Sequence, residues 1–205
     1  QEIYEMQKGE EVYLTGLELL MVMLAGVSLP RPEYNKMMKD LIAALKANGP
    51  RIKPKVRLLY TGGHADNPEF FELLQQNDAH VVSDNTGFGT RAADVLICED
   101  GDPLEAIINY YFEEKPAATR QMGTQVERME RLLDLVKQYK ADGVVASRLY
   151  MCDLWAFEHF LMRKRLHENN VPFLELEVDY TPEGQGQIKT RVQAFVESLA
   201  DRQTA

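Results

Sequence analysis

Four stretches of this 205-residue chain hold residue types suited to chemistry. Thr61-Gly62-Gly63-His64 joins two glycines to an imidazole. Glycine lets a backbone approach a ligand closely, and His64 is placed to touch it; an ordinary turn with a solvated histidine uses the same residues. Asp84-Asn85-Thr86-Gly87-Phe88-Gly89-Thr90-Arg91 ends in a cation. Arg91 can pair bidentately with a carboxylate or phosphate, or be tied structurally to Asp84 or Asp94. Cys152 directly precedes Asp153, a candidate helix cap. A cysteine at a helix N-terminus sees the positive end of the dipole, which favours thiolate, the form an iron–sulfur cluster requires. One thiolate is not a metal site, and by spacing alone a free thiol is the simpler reading. Gly184-Gln185-Gly186-Gln187 leads into a helix whose first turns carry Lys189, Thr190 and Arg191. Amides at such a start can hold an anion; a capped, solvated entry is the alternative.

Other chemistries find no support. His64, His80, His159 and His167 form neither HExxH nor a paired-ligand spacing, and no GxSxG is present. The Gly62-Gly63 turn is neither a P-loop nor GxGxxG. Cys98, after Val95-Leu96-Ile97, reads as core, as do Trp155, Phe157 and Phe160.

The elements that must position these residues follow from periodicity. Residues 1–54 read as a helical segment: an apolar helix over Leu17–Val27, expected to be buried, then Met37, Leu41, Ala44 and Leu45 at helical spacing. Asn48-Gly49-Pro50 stops the second helix. Residues 55–205 read as an α/β domain. Predicted strands are Val56–Tyr60, His80–Asp84, Gly143–Ser147 and Phe173–Val178. Between them lie helices opening at Asn67-Pro68 and Asp102-Pro103, an amphipathic helix through Val126, Met129, Leu132, Leu133, Val136 and Tyr139, and a helix capped by Asp153. The last helix carries Ile188, Val192, Phe195, Val196 and Leu199 on one face. This alternation predicts a flavodoxin-like parallel sheet of about four strands, with helices on both faces. Ligands in such sheets bind beyond the carboxyl ends of the strands, where all four stretches fall.

Composition narrows the partners. The 23 basic and 32 acidic side chains give a formal charge of −9, which argues against general nucleic-acid binding. The longest apolar run, Leu19–Ala25, is far short of the roughly 20 residues of a membrane span. Two cysteines fit a reducing cytoplasm. The chain starts at Gln1 with no signal-peptide pattern, which suggests a piece of something longer.

The motifs, taken in order, resemble the C-terminal half of a subunit of the benzoyl-CoA reductase/2-hydroxyacyl-CoA dehydratase superfamily. The resemblance covers most of the chain. It rests on Leu14-Thr15-Gly16-x-Glu18, Ala25-Gly26-Val27-x-Leu29-Pro30, Val56–Gly63 with Asn67-Pro68, and Val81-Val82-x-Asp84 running into Arg91. Tyr150-x-Cys152-Asp153-Leu154-Trp155 and Gly186-Gln187-x-x-Thr190-Arg191-x-Gln193-Ala194-Phe195 complete it. The resemblance implies two related α/β domains per subunit, a homologous second subunit, and a [4Fe–4S] cluster held by three cysteines. It further implies an ATP-hydrolysing iron–sulfur activator that supplies single electrons to an acyl-CoA. Carried onto this sequence, it makes Cys152 a cluster ligand, and Gly62, Gly63, His64, Arg91, Gln187 and Arg191 substrate-binding residues, with Arg148 a further cation near CoA. Relatives often carry a cysteine where Gly87 stands, and the N-terminal half with its other ligands is absent. The expectation is therefore a cluster in the complete subunit and none in this chain alone, which by itself would be inactive. The Thr86–Arg91 loop and Gln193-Ala194-Phe195 look closer to the benzoyl-CoA reductase branch. The alternatives are a 2-hydroxyacyl-CoA dehydratase subunit and a non-catalytic interaction domain lacking its own cluster.

Overall fold

A computed structural model of the chain describes residues 1–63, 67–75, 78–179 and 185–204. His64 and residues 180–184 lie outside them. Among the described residues, four strands form one parallel sheet in the order β2-β1-β3-β4. They are β1 (Val56–Gly62), β2 (Ala79–Asn85), β3 (Gly143–Leu149) and β4 (Phe173–Val178). This is the flavodoxin-like order, with its topological switch point between β1 and β3.

Side chains alternate across the sheet, so each strand feeds two cores. Leu59, Val82, Val144 and Ala146 face one side, under α7 (Gln125–Gln138) and α8 (Asp153–Glu168). Leu58, Tyr60, Val81, Val145 and Leu176 face the other, under α4 (Pro68–Leu74) and α9 (Gln185–Thr204). Three N-terminal helices precede the sheet: α1 (Glu2–Glu5), α2 (Gly16–Ser28) and α3 (Arg31–Asn48). Ile3, Tyr4, Val12, Leu14 and Leu19 pack into the first core, and Val12 bridges Ile52 antiparallel.

Local chemistry sets the helix ends. Thr15 and Glu18 form a reciprocal capping box on α2. Asn67 caps α4 and Asp102 caps α6 (Pro103–Asn109), each accepting two backbone N–H groups, with proline at the first helical position. A π-helical turn, Tyr110–Glu114, follows α6. A short helix, α5 (Thr90–Ala93), closes the loop after β2.

Several expectations need correction. Cys98 is exposed: its apolar run continues from α5 into a surface stretch where Leu96 and Ile97 are also exposed. Phe157 and Phe160 face solvent, because α8 presents Trp155, His159, Met162 and Leu166 to the core instead. Val126 is exposed at the start of α7. On α2, Leu19 and Leu20 are buried while Met21 and Val27 are exposed, so that helix is buried only in part. Cys152, not Asp153, is the N-cap residue of α8. Among the described residues, no helix is long and apolar enough to cross a membrane.

Candidate functional site

A cleft of about 390 Å³ opens beyond the carboxyl ends of β1, β2 and β3. Gly62 and Gly63 form its β1 side, Thr86, Gly87, Phe88 and Arg91 its β2 side, and Cys152, Leu154 and Trp155 its β3 side. This is the switch-point position that open parallel sheets use for ligands.

The β1 side is tight. Gly63 N–H donates to the Ser147 carbonyl at 3.3 Å. A Cβ on Gly63 would lie 2.4 Å from Trp155 Nε1, so glycine is required for the indole to reach the strand end. Behind it, the Tyr60 and Ser147 hydroxyls are 2.5 Å apart across β1 and β3.

The β2 side is organised by Asp84. Its buried carboxylate accepts from the Tyr4 hydroxyl, from Thr86 N–H and Oγ1 at 2.8 and 2.7 Å, and from Thr90 N–H at 3.4 Å. Thr90 Oγ1 donates to the Asp84 carbonyl at 2.6 Å. Burial raises the Asp84 carboxyl above its ordinary range, with these donors pulling partly back; burial and Asp84 together push the Tyr4 hydroxyl up. A Cβ on Gly89 would lie 1.8 Å from Asp84 Oδ1, which explains glycine there without any ligand.

With Asp84 occupied in this way, Arg91 is left without a hydrogen bond or ion pair among the described residues. Asp94, the other expected partner, pairs with Arg131. Burial pulls the Arg91 guanidinium below its usual range, and Arg131 adds to this. An unpaired, half-buried guanidinium on a cleft is suited to a carboxylate or phosphate.

On the β3 side, Cys152 N–H donates to the Leu149 carbonyl at 3.1 Å, and the Cys152 carbonyl receives Ala156 N–H at 2.9 Å. Met151 between them sits at φ 62°, a left-handed conformation uncommon outside glycine. This turn sets Cys152 at the head of α8 and on the cleft wall.

The structure thus gathers Gly62, Gly63, Arg91 and Cys152, and places Gln187, Arg191 and Arg148 elsewhere; His64 lies outside the described residues. Gln187 is exposed on α9. Arg191 donates to the Glu175 carbonyl at 2.7 Å, on the β4 edge. Arg148 pairs with Glu177. The sequence reading missed Ala118, Thr119 and Arg120, which also line the cleft; the one signal was a lone cation between Pro116 and Gly123 in a stretch without strand pattern. It also missed Tyr4, which reaches Asp84 from the far N-terminal segment.

Comparison with known proteins decides the family. The sequence model described as "2-hydroxyglutaryl-CoA dehydratase, D-component" matches residues 1–199. The chain belongs to this family. It is 24% identical over 182 residues to the (R)-phenyllactyl-CoA dehydratase beta subunit of Clostridium sporogenes, covering 87% of this chain and 47% of that one. It is 21% identical over 202 residues to a benzoyl-CoA reductase subunit of Thauera aromatica, covering 97% and 52%. The (R)-2-hydroxyglutaryl-CoA dehydratase beta subunit of Acidaminococcus fermentans matches at 23% over 186 residues, covering 87% and 48%. The chain therefore spans about half the length of these relatives, and sits within the benzoyl-CoA reductase/2-hydroxyacyl-CoA dehydratase superfamily.

An iron–sulfur cluster is the cofactor the resemblance implies, and its donors can be checked. Such clusters take several cysteine thiolates. The cleft carries one thiol, Cys152, and the described residues hold no group of three His, Cys, Asp or Glu placed for a metal ion. The described residues by themselves do not fit a cluster.

Proposed function

We infer that this chain is the acyl-CoA-facing part of an iron–sulfur subunit in an ATP-driven radical acyl-CoA enzyme. The observation that carries the reading is the meeting of Gly63, unpaired Arg91 and Cys152 on one switch-point cleft. Gly62 and Gly63 leave the strand end bare for a thioester chain. Arg91 supplies a cationic hydrogen-bond donor to the thioester carbonyl oxygen, a bond of roughly 1.5–3 kcal/mol when charge-assisted. Phe88, Leu154 and Trp155 give apolar walls that exclude water. Cys152 offers one thiolate to a cluster whose remaining ligands come from outside this chain. A homologous second subunit and an ATP-hydrolysing iron–sulfur activator are the partners.

The overall outcome is either reduction of a benzoyl-CoA-type ring or elimination of water from a 2-hydroxyacyl-CoA. The dehydratase names of the family model and of two relatives favour elimination. The features read towards the reductase branch have local explanations: Gly89 makes room for Asp84, and Gln193 donates to Glu197 at 2.9 Å.

Anaerobic reconstitution of the complete protein with iron and sulfide tests the reading. The expected result is bound iron with sulfur-to-iron charge-transfer absorbance, together with saturable acyl-CoA binding. A complete protein that takes neither iron nor acyl-CoA contradicts it and leaves a non-catalytic interaction domain.

A further inference from the structure

A second unpaired cation reaches the cleft from a loop that is anchored at several points. Residues 118–124 connect the π-helical turn region to α7. Gln121 N–H donates to the Ala118 carbonyl at 2.9 Å, Ala118 N–H to Gln121 Oε1 at 2.5 Å, and Thr124 Oγ1 to the Gln121 carbonyl at 2.8 Å. This compact turn leaves Arg120 exposed near its tip, on the cleft. Arg120 makes no hydrogen bond or ion pair among the described residues, whereas Arg51, Arg128, Arg131 and Arg163 are all held by carboxylates.

The turn is tied down by one buried side chain. Arg128, on α7, donates from Nη1 to the Ala118 and Gln121 carbonyls at 3.3 and 3.0 Å and to Thr124 Oγ1 at 2.6 Å. Its Nε and Nη2 bind the two carboxylate oxygens of Glu158 at 2.7 and 2.8 Å. Arg128 is 8% exposed and Glu158 2%. Glu158 lies on α8, the helix that begins beside Cys152. One desolvated guanidinium therefore fixes the Arg120 loop to the helix that carries the thiol. Buried ion pairs are weak evidence for stability but can fix one geometry; here the geometry fixed is that of a free cation on a concave site. The cleft accordingly has a half-buried guanidinium, Arg91, and an exposed one, Arg120, in a chain whose net charge is −9. Two such charges match a ligand with an anionic group at its outer end.

We propose that Arg120 recognises the phosphates of the acyl-CoA at the mouth of the cleft, and that Arg128 is the positioning residue that holds it there. The proposal rests on the acyl-CoA reading and assigns the ligand's phosphate end to Arg120 and its inner end to Arg91. Titration calorimetry on the complete protein, with acetyl-CoA and the phosphate-free thioester S-acetylpantetheine, separates the two. Arg120→Gln should weaken acetyl-CoA about tenfold, 1.4 kcal/mol, and leave S-acetylpantetheine unchanged. Added salt should weaken acetyl-CoA more in the wild type than in this variant. Arg128→Lys keeps a cation beside Glu158 but lacks the planar fork, so it should show the same selective loss. Thr124→Ala leaves the Arg128–Glu158 pair intact and should show it to a smaller degree. Equal loss of both thioesters, or of neither, in Arg120→Gln overturns the proposal while the acyl-CoA reading stands. A wild-type protein that binds neither thioester overturns both.

Discussion

The β1–β3 switch point and the β4 edge both carry arginines near strand ends, and they use them in opposite ways. Along β4, Arg163 pairs with Glu175, Arg148 with Glu177, and Arg191 with the Glu175 carbonyl. At the switch point, Asp84 is occupied by Tyr4, Thr86 and Thr90, and Asp94 by Arg131, so Arg91 has no protein partner among the described residues. The difference shows that a cation after a glycine-containing loop is left without a protein partner where the neighbouring carboxylates are already satisfied.

The largest expected effect separates the two cysteines. In the complete protein, Cys152→Ser should lose iron, because Cys152 lies on the switch-point cleft. Cys98→Ser should retain it, because Cys98 lies on an exposed stretch. Iron quantitation after reconstitution checks both, and full iron in Cys152→Ser breaks the contrast.

Glycines give the next contrast. Gly89→Ala drives a Cβ into the Asp84 carboxylate and should cost about 1–3 kcal/mol or more, as overpacking does. Gly186→Ala, on α9 with open space around it, should gain roughly 0.5–1 kcal/mol. Denaturant midpoints measure both. A neutral Gly89→Ala would mean that the loop is not built around Asp84.

The smallest effect is a pH dependence on the β4 side. His159 is fully buried between Trp155 and Phe173, and among the described residues neither ring nitrogen makes a hydrogen bond, with Nδ1 3.4 Å from Glu175 Oε1. Burial lowers its pKa from the ordinary 6.5, and Arg148 adds to this, against the opposing pull of Glu175 and Glu158. The unfolded chain then binds the proton more tightly, so stability is full above 6.5 and falls as pH drops through the lowered folded value. His80, lowered mainly by burial, acts in the same direction. Melting temperature should therefore decline as pH falls below 6.5, and His159→Leu should flatten part of the decline. An unaltered slope would show that His159 does not titrate between the two states.

Much of the frame was legible in the sequence because local signals and tertiary packing agree there. Asn67-Pro68 and Asp102-Pro103 are helix starts by the chemistry of their own residues, and Met129, Leu132, Leu133 and Val136 are one buried face. Helices alternating with four strands pointed to the parallel sheet. What failed depends on contacts between distant residues. The order β2-β1-β3-β4 decides that Arg91 reaches the cleft while Arg191 lies on the β4 edge. Tyr4 meets Asp84 across 80 residues, and Arg128 fixes Arg120 through backbone carbonyls that leave no pattern in side-chain types. Cys98 ends an apolar run that is itself on the surface, and Phe157 is an apolar neighbour of buried residues on α8; hydropathy alone distinguishes neither from core.

The switch-point cleft, and not the β4 edge, is the proposed acyl-CoA site. Acetyl-CoA affinity of Arg91→Gln and Arg191→Gln, measured side by side in the complete protein, tests it most directly. The account predicts a loss of about tenfold or more for Arg91→Gln, and wild-type affinity for Arg191→Gln. Wild-type affinity in Arg91→Gln, with the loss appearing in Arg191→Gln instead, would contradict it.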